Sequence, residues 1–508
     1  MPVLTAAAAL TALAIVAQDK TALRAAPAAT AAVNAQLWQG ELLEVRGSRL
    51  DYLQVYDHRI ERAGYIRASQ ARQLDLNEAQ APQLLAVLRF LKDAPGSESL
   101  GIAYVAAYLK AAPAGANLAD AFDALGVMAE RLAARAAAPS ANTVAAAAPS
   151  GPGATVAGQI DTVAQYGVKF NSYDHDGAVQ LCYDGEAFRR IAAMSAAQAS
   201  AEQRARAVLA LTRHDCLDPA LPPAERRALN RWRAETLDRL EPAAFAQLDE
   251  ITKNRLRLRR AGVWAAVAFD ESRQGDEGQS AMQTAARRAL DELAAVNKAE
   301  LGDAESVGYA EAAIRVGAVR WAAQPQINTA NLAGGRLQLQ LQPGEPGQTC
   351  VRLIDTVAKS RSAEPLAQRC TYGTVWGASA KLSPDGRSLA LAVQPLEGWR
   401  ELWVWREQAA GWTIDVLPPA ASAPGLGYLE FAGWAADARG QAKGVTASNV
   451  ARLLAVRETQ TGTGASRRFE ILGLDSLNTE RFALVPSQLA AFVRWADADW
   501  KSGTVSVR

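Results

Sequence analysis

The hydrophobic period changes twice along this chain, and no single layer architecture accommodates both changes. Between Leu37 and Ser69 short segments alternate apolar and polar residues, as in DYLQVYD and GYIRAS. From Leu84 the apolar residues Leu84, Val87, Leu88 and Leu91 recur at i, i+3, i+4 and i+7. Near Leu332 the alternation returns in GRLQLQLQ and RSLALAVQ. A repeat of two lines one face of a strand, and a repeat of about 3.6 lines one face of a helix. The chain must therefore build a β part, a helical part and a second β part. At 508 residues it is also too long for one hydrophobic core. The expectation is a multi-domain α+β protein: a small N-terminal β-barrel, a central irregular helical bundle and a C-terminal antiparallel β domain, either a blade-like sheet or a sandwich.

Composition narrows the class. Apolar residues make up 49% and charged residues 21%, which is ordinary for globular chains and predicts that most of the length folds. With 54 basic against 53 acidic residues there is no net field to steer nucleic acid or an anionic membrane, so no nucleic-acid partner is expected. The run VLTAAAALTALAIVA, from Val3 to Ala17, is uncharged and falls short of the roughly 20 residues a spanning helix needs. It matches the apolar core of a secretory signal over 1–17, with Ala17 as the cleavage point, although no Lys or Arg precedes it. No later run reaches spanning length, so no transmembrane segment is expected once the signal is removed.

Turn chemistry and composition place the boundaries. Residues 18–76 read as the barrel, with LLEVRG, DYLQVYD and GYIRAS as strands. Residues 77–137 read as helical, with Asn77 as a cap and Pro95-Gly96 as a stop. Small residues, Pro and Gly from Ala138 onward mark 138–157 as a linker. Residues 158–324 read as a helical domain, with Pro222-Pro223 opening one helix and Met282, Ala286, Ala289, Leu293 and Val296 forming the stripe of another. Residues 325–508 hold eight of the twelve tryptophans and read as a Trp-rich β domain. Its SPDGR segment, Ser383 to Arg387, resembles the turn of a β-propeller blade.

The order TALRAAP, GELLEVRG, DYLQVYD and AGYIRAS resembles the bacterial Src homology 3-like domain of cell-envelope proteins. Leu23, Arg24 and Pro27 stand for its opening, and Glu44 and Val45 for its second element. Tyr52, Leu53 and Val55 stand for the third, and Gly64, Tyr65 and Ile66 for the last. RAAP replaces the family's RSGP, and Tyr52 stands where Trp is common. The resemblance covers about an eighth of the chain. It implies targeting or peptide binding, often to peptidoglycan, and no catalysis.

Candidate chemistry is sparse. The histidines are His58, His175 and His214, and the cysteines are Cys182, Cys216, Cys350 and Cys370. His175, Cys182, His214 and Cys216 cluster in YDHDGAVQLCYDGEAF and TRHDC. Three readings compete there: a Cys182–His175 nucleophile pair facing across a hairpin, a Cys₂His₂ zinc site, and a Cys182–Cys216 disulfide. The close paired spacing of zinc fingers is missing, as is the pattern of a cysteine peptidase. The disulfide is the expected reading, with Cys350 joined to Cys370 as the second. No phosphate-binding loop or catalytic motif is present, so no catalytic residue, metal or cofactor is expected. The basic run KNRLRLRR, Lys253 to Arg260, reads as a solvated or internally paired helix face. Trp38, Tyr52, Tyr56 and Tyr65 are the ligand-binding candidates, because aromatic rings give large contact area at small entropic cost. Trp403 and Trp405 read as packing residues of the C-terminal sheet.

The chain thus reads as a periplasmic or secreted, non-enzymatic binding or scaffolding protein whose partner is an envelope peptide, peptidoglycan or a protein. The alternatives are a cell-wall hydrolase using the Cys–His pair and a cytosolic scaffold.

Overall fold

The computed structural model describes residues 12–138, 152–175, 178–332, 335–357, 364–421, 425–436, 450–461 and 464–503. It divides into two units, 1–222 with 238–248, and 223–237 with 249–508.

The first unit opens with seven strands: β1 (Ala12–Val16), β2 (Thr21–Arg24), β3 (Val33–Leu37), β4 (Leu42–Arg49), β5 (Tyr52–Asp57), β6 (Arg62–Arg67) and β7 (Ala71–Leu74). They form one antiparallel sheet in the order β3-β2-β6-β5-β4-β1-β7. Alternate residues fill a small core of Ala14, Val16, Leu23, Leu37, Leu43, Leu53, Val55, Ile66 and Ala71.

β1 corrects the reading of 1–17. Its residues pair with Leu42–Val45 on one side and Ala71–Leu74 on the other, and Ala14, Ile15 and Val16 are wholly buried. Cleavage after Ala17 would take away a strand of this sheet. The uninterrupted apolar stretch has a physical cause: both faces of β1 are covered, so no alternation is required. Residues 3–11 of the run lie outside the described residues.

Four helices follow: α1 (Ala81–Lys92), α2 (Glu98–Ala111), α3 (Ala119–Ala137) and α4 (Pro152–Ala164). The linker expected to reach 157 therefore gives way to helix at Pro152; its other residues from 139 to 151 lie outside the described residues. In α1 the expected stripe holds, with Leu84, Leu88 and Leu91 buried. Asn77 Oδ1 accepts from the Gln80 backbone N–H at 3.1 Å in the turn leading into it. The helices share their core with the sheet through Ile15 and Leu74. Gly40 marks the join: its φ is +93°, and a Cβ there would come within 2.5 Å of the Ser99 carbonyl oxygen. The Tyr166 hydroxyl donates to the Gly40 carbonyl at 2.5 Å, and Gln159 Nε2 donates to Asp19 Oδ2 at 2.8 Å.

The span 158–324 is not one helical domain. It contains a hairpin, β8 (Phe170–His175) with β9 (Ala178–Tyr183), followed by α5 (Glu186–Ala192) and α6 (Ala201–Leu211). The helix α7 (Pro223–Asp238) lies almost entirely in the second unit, and the short α8 (Pro242–Ala246) returns to the first.

The second unit combines helices α9 (Glu250–Ser272), α10 (Gln279–Ala294) and α11 (Asp303–Ala318) with two sheets. The smaller sheet has β10 (Thr329–Leu332), β11 (Leu337–Pro343), β12 (Thr349–Asp355) and β13 (Ala367–Thr371) in sequence order. The larger has β14 (Thr374–Leu382), β15 (Ser388–Leu396), β16 (Trp399–Gln408), β17 (Gly411–Leu417), β18 (Gly427–Ala436), β19 (Val450–Thr461), β20 (Gly464–Gly473) and β21 (Thr479–Ala483). Within it β16 pairs β18 in parallel, and the other pairs are antiparallel. Leu337, Leu339, Val351 and Leu353 of the smaller sheet share a core with Leu389, Leu391, Val393, Trp403 and Trp405 of the larger. Both tryptophans are buried packing residues. The SPDGR turn joins β14 to β15, with Gly386 at φ +72° and the Ser383 backbone N–H bonded to the Ser388 carbonyl at 2.7 Å. Short α12 (Ala490–Trp495) and α13 (Ala498–Gly503) close the chain, and Phe492 packs on Phe469 of β20.

Candidate functional site

Three places collect the side chains with chemical potential. The first is the outer face of β4, β5 and β6. Alternation on β5 puts Tyr52, Gln54 and Tyr56 on the side away from Leu53 and Val55. Tyr65 stands opposite Gln54 and Arg67 opposite Tyr52. Tyr65 is thus a diagonal neighbour of both Tyr52 and Tyr56, a separation of roughly 7–8 Å between backbones. The β4–β5 register slips between Val45 and Gly47, and Arg46 sits in that irregularity. Its guanidinium lies 3.9 Å from the centroid of the Tyr56 ring. His58 meets the same ring edge-on at 4.8 Å, and its Nε2 is 2.7 Å from Glu44 Oε2. Arg46, and after it His58, hold the Glu44 carboxyl below its ordinary range.

The four aromatic candidates separate on this evidence. Tyr56 and Tyr65 are half-exposed on the outer face. Tyr52 is buried, with the Arg67 guanidinium 5.6 Å from its ring centroid. Trp38 belongs elsewhere: it packs on α4, where a Cβ on Gly158 would come within 2.4 Å of the indole. The small residue at 158 is what admits the ring.

The second place is the cysteine–histidine cluster. Cys182 is bonded to Cys216 with S–S 2.05 Å, and Cys350 is paired with Cys370 directly opposite it on β12 and β13. Across the β8–β9 hairpin Cys182 faces Asn171, while His175 pairs with Ala178 at the far end. The facing arrangement of His175 and Cys182 is therefore absent, and a sulfur held in a disulfide is not a nucleophilic thiolate. Among the described residues no group of His, Cys, Asp and Glu could hold a metal ion. Asp215 is engaged by Arg213, whose Nε is 3.0 Å from Oδ1.

Comparison with family models, curated proteins and solved structures finds no match. The sites must be read from their chemistry alone.

The third place was not visible in the sequence. A cavity of about 350 Å³ lies over β19 and β20, lined by Pro419, Ala420, Ala421, Arg457, Thr459, Ser466, Arg468, Glu470 and Thr479. Its strand residues come from β19, β20 and the first residue of β21, and Pro419, Ala420 and Ala421 from the stretch after β17 border it. The basic run of α9 forms no comparable patch. Lys253 pairs with Glu250 at 2.8 Å, Arg255 with Glu305 at 2.6 Å and Arg260 with Glu292 at 3.8 Å.

Proposed function

We propose that the protein is an exported, non-enzymatic binding or scaffolding protein of the bacterial cell envelope, and that its N-terminal sheet is a Src homology 3-like module binding a peptide of the peptidoglycan type. The observation that carries this reading is the outward pair Tyr56 and Tyr65 beside Arg46. Two half-exposed rings, one of them covered by the guanidinium of the Arg46–Glu44 ion pair, offer flat contact area. That combination suits a short extended peptide laid across the rings. Seven short antiparallel strands around one small core support the module assignment. Two cysteine pairs at bonding distance support an oxidising compartment. Among the described residues no helix is long and apolar enough to cross a membrane.

The test is sedimentation of the full-length chain with purified peptidoglycan sacculi. Wild type is expected in the pellet, and the Tyr56→Ala/Tyr65→Ala double variant about tenfold less so. Wild type remaining in the supernatant removes the ligand assignment. Finding the chain in the cytoplasm with four free thiols removes the export assignment.

A further inference from the structure

We propose that the cavity over β19 and β20 is a binding site for a small organic anion, with Arg468 as the residue that recognises its carboxylate or phosphate headgroup. The site lies in the second unit and does not depend on the reading of the N-terminal sheet.

The argument starts from alternation. On one face of β19 and β20, Leu453, Ala455 and Leu472 belong to a hydrophobic core. Further along the same face the pairs become Ala455 with Glu470, Arg457 with Arg468 and Thr459 with Ser466. A face that continues a core would ordinarily stay apolar or meet water. Here it turns charged and hydroxyl-bearing, and the Pro419–Ala421 segment borders the space above it. At about 350 Å³ the volume falls within the range of small-ligand pockets, roughly 300–1,000 Å³.

Two arginines directly opposite one another repel, which costs stability unless something neutralises both. Glu470 neutralises only one. Arg457 Nε is 2.9 and 3.1 Å from the two Glu470 oxygens, and Arg457 Nη1 donates to the carbonyls of Pro418 at 2.5 Å and Pro419 at 2.8 Å. Arg468 has no acidic partner among the described residues; its guanidinium rests 5.2 Å from the ring centroid of Phe482, which is itself exposed. The Thr459 and Ser466 hydroxyls likewise have no hydrogen-bond partner among the described residues. Two guanidinium groups against one buried carboxylate leave a net positive site with donors to spare. Because Glu470 is already held by Arg457, the site does not attract a cation. An anion seated between Arg468, Ser466 and Thr459 would relieve the arginine repulsion and use every idle donor.

Calorimetric titration of the full-length chain with succinate, inorganic phosphate and uncharged succinamide tests this. Saturable binding of succinate or phosphate, with none of succinamide, is the expected result. The tighter of the two anions tells a carboxylate ligand from a phosphate one. Arg468→Gln is expected to weaken binding about tenfold or more, since a charge-assisted hydrogen bond is lost. Arg468 is exposed, so the variant should fold, and circular dichroism checks it. Ser466→Ala is expected to give a smaller loss, and Arg49→Gln, exposed in the first unit, no change. Absence of saturable binding of either anion across the millimolar range, or equal affinity in Arg468→Gln, overturns the proposal.

Discussion

Ala14 and Ile15 are neighbours on β1, yet they belong to different cores: Ala14 faces the interior of the sheet, and Ile15 faces the helices. One strand thus fastens the two layers of the first unit together. Replacing Ile15 with Ala should remove about 2–5 kcal/mol, as deletions of buried aliphatic groups do. Urea unfolding followed by circular dichroism measures it. Deleting residues 1–17 should prevent this unit from folding at all. A truncated chain with an unchanged unfolding midpoint would contradict the role given to β1.

Glu41 predicts a pH dependence. Its side chain is buried beside Asp57, and Arg59 Nη2 reaches Glu41 Oε1 at 2.9 Å. Burial is the largest influence and pushes its carboxyl up from an ordinary 4.5 to about 7, against the pull of Arg59. The fold therefore binds this proton more tightly than the unfolded chain does. The associated stability is complete below about pH 4.5 and is lost as pH rises through about 7. Glu41→Gln should flatten the decline in stability between those two values. Equal slopes for variant and wild type would show that another group carries the dependence.

Gly158 and Trp38 form a complementary pair. A Cβ on Gly158 would overlap the indole at 2.4 Å, so Gly158→Ala should cost about 1–3 kcal/mol by overpacking. The cost should largely vanish in a Trp38→Ala background, which a double-mutant cycle in urea reads directly. Additive single effects would mean the two positions do not communicate.

The Cys182–Cys216 bond closes a separation of 34 residues. Chain entropy gives such a cross-link about 3–4 kcal/mol, the model-dependent loss expected for the Cys182→Ala/Cys216→Ala variant. Scanning calorimetry with and without reductant checks it. If reductant lowers the transition of the variant as much as that of wild type, the effect belongs to Cys350 and Cys370.

The legible parts of the fold were those set by local chemistry. The helical stripes around Leu88 and Ala289 and the Ser383–Arg387 turn follow from residues a few positions apart. β1 was misread because a short apolar run looks the same whether it is an export signal or a strand covered on both sides. The helical reading of 158–324 missed β8 and β9 because the two strands are short and carry few β-branched residues. Tyr56 and Tyr65 could be named from alternation, but Trp38 could not be set aside, since the space above Gly158 comes from a helix far along the chain. The opposition of Arg457 and Arg468 depends on strand register, which no local pattern announces.

The position of β1 also sets an order of events. Its hydrogen-bonding partners β4 and β7 come later in the chain, and the helical layer against Ile15 comes later still. As the polypeptide emerges from the ribosome, this apolar strand must wait without a partner until β4 and β7 have followed it. Until those partners arrive Ala14, Ile15 and Val16 lie uncovered, and the yield of folded protein depends on what shields them in the interval.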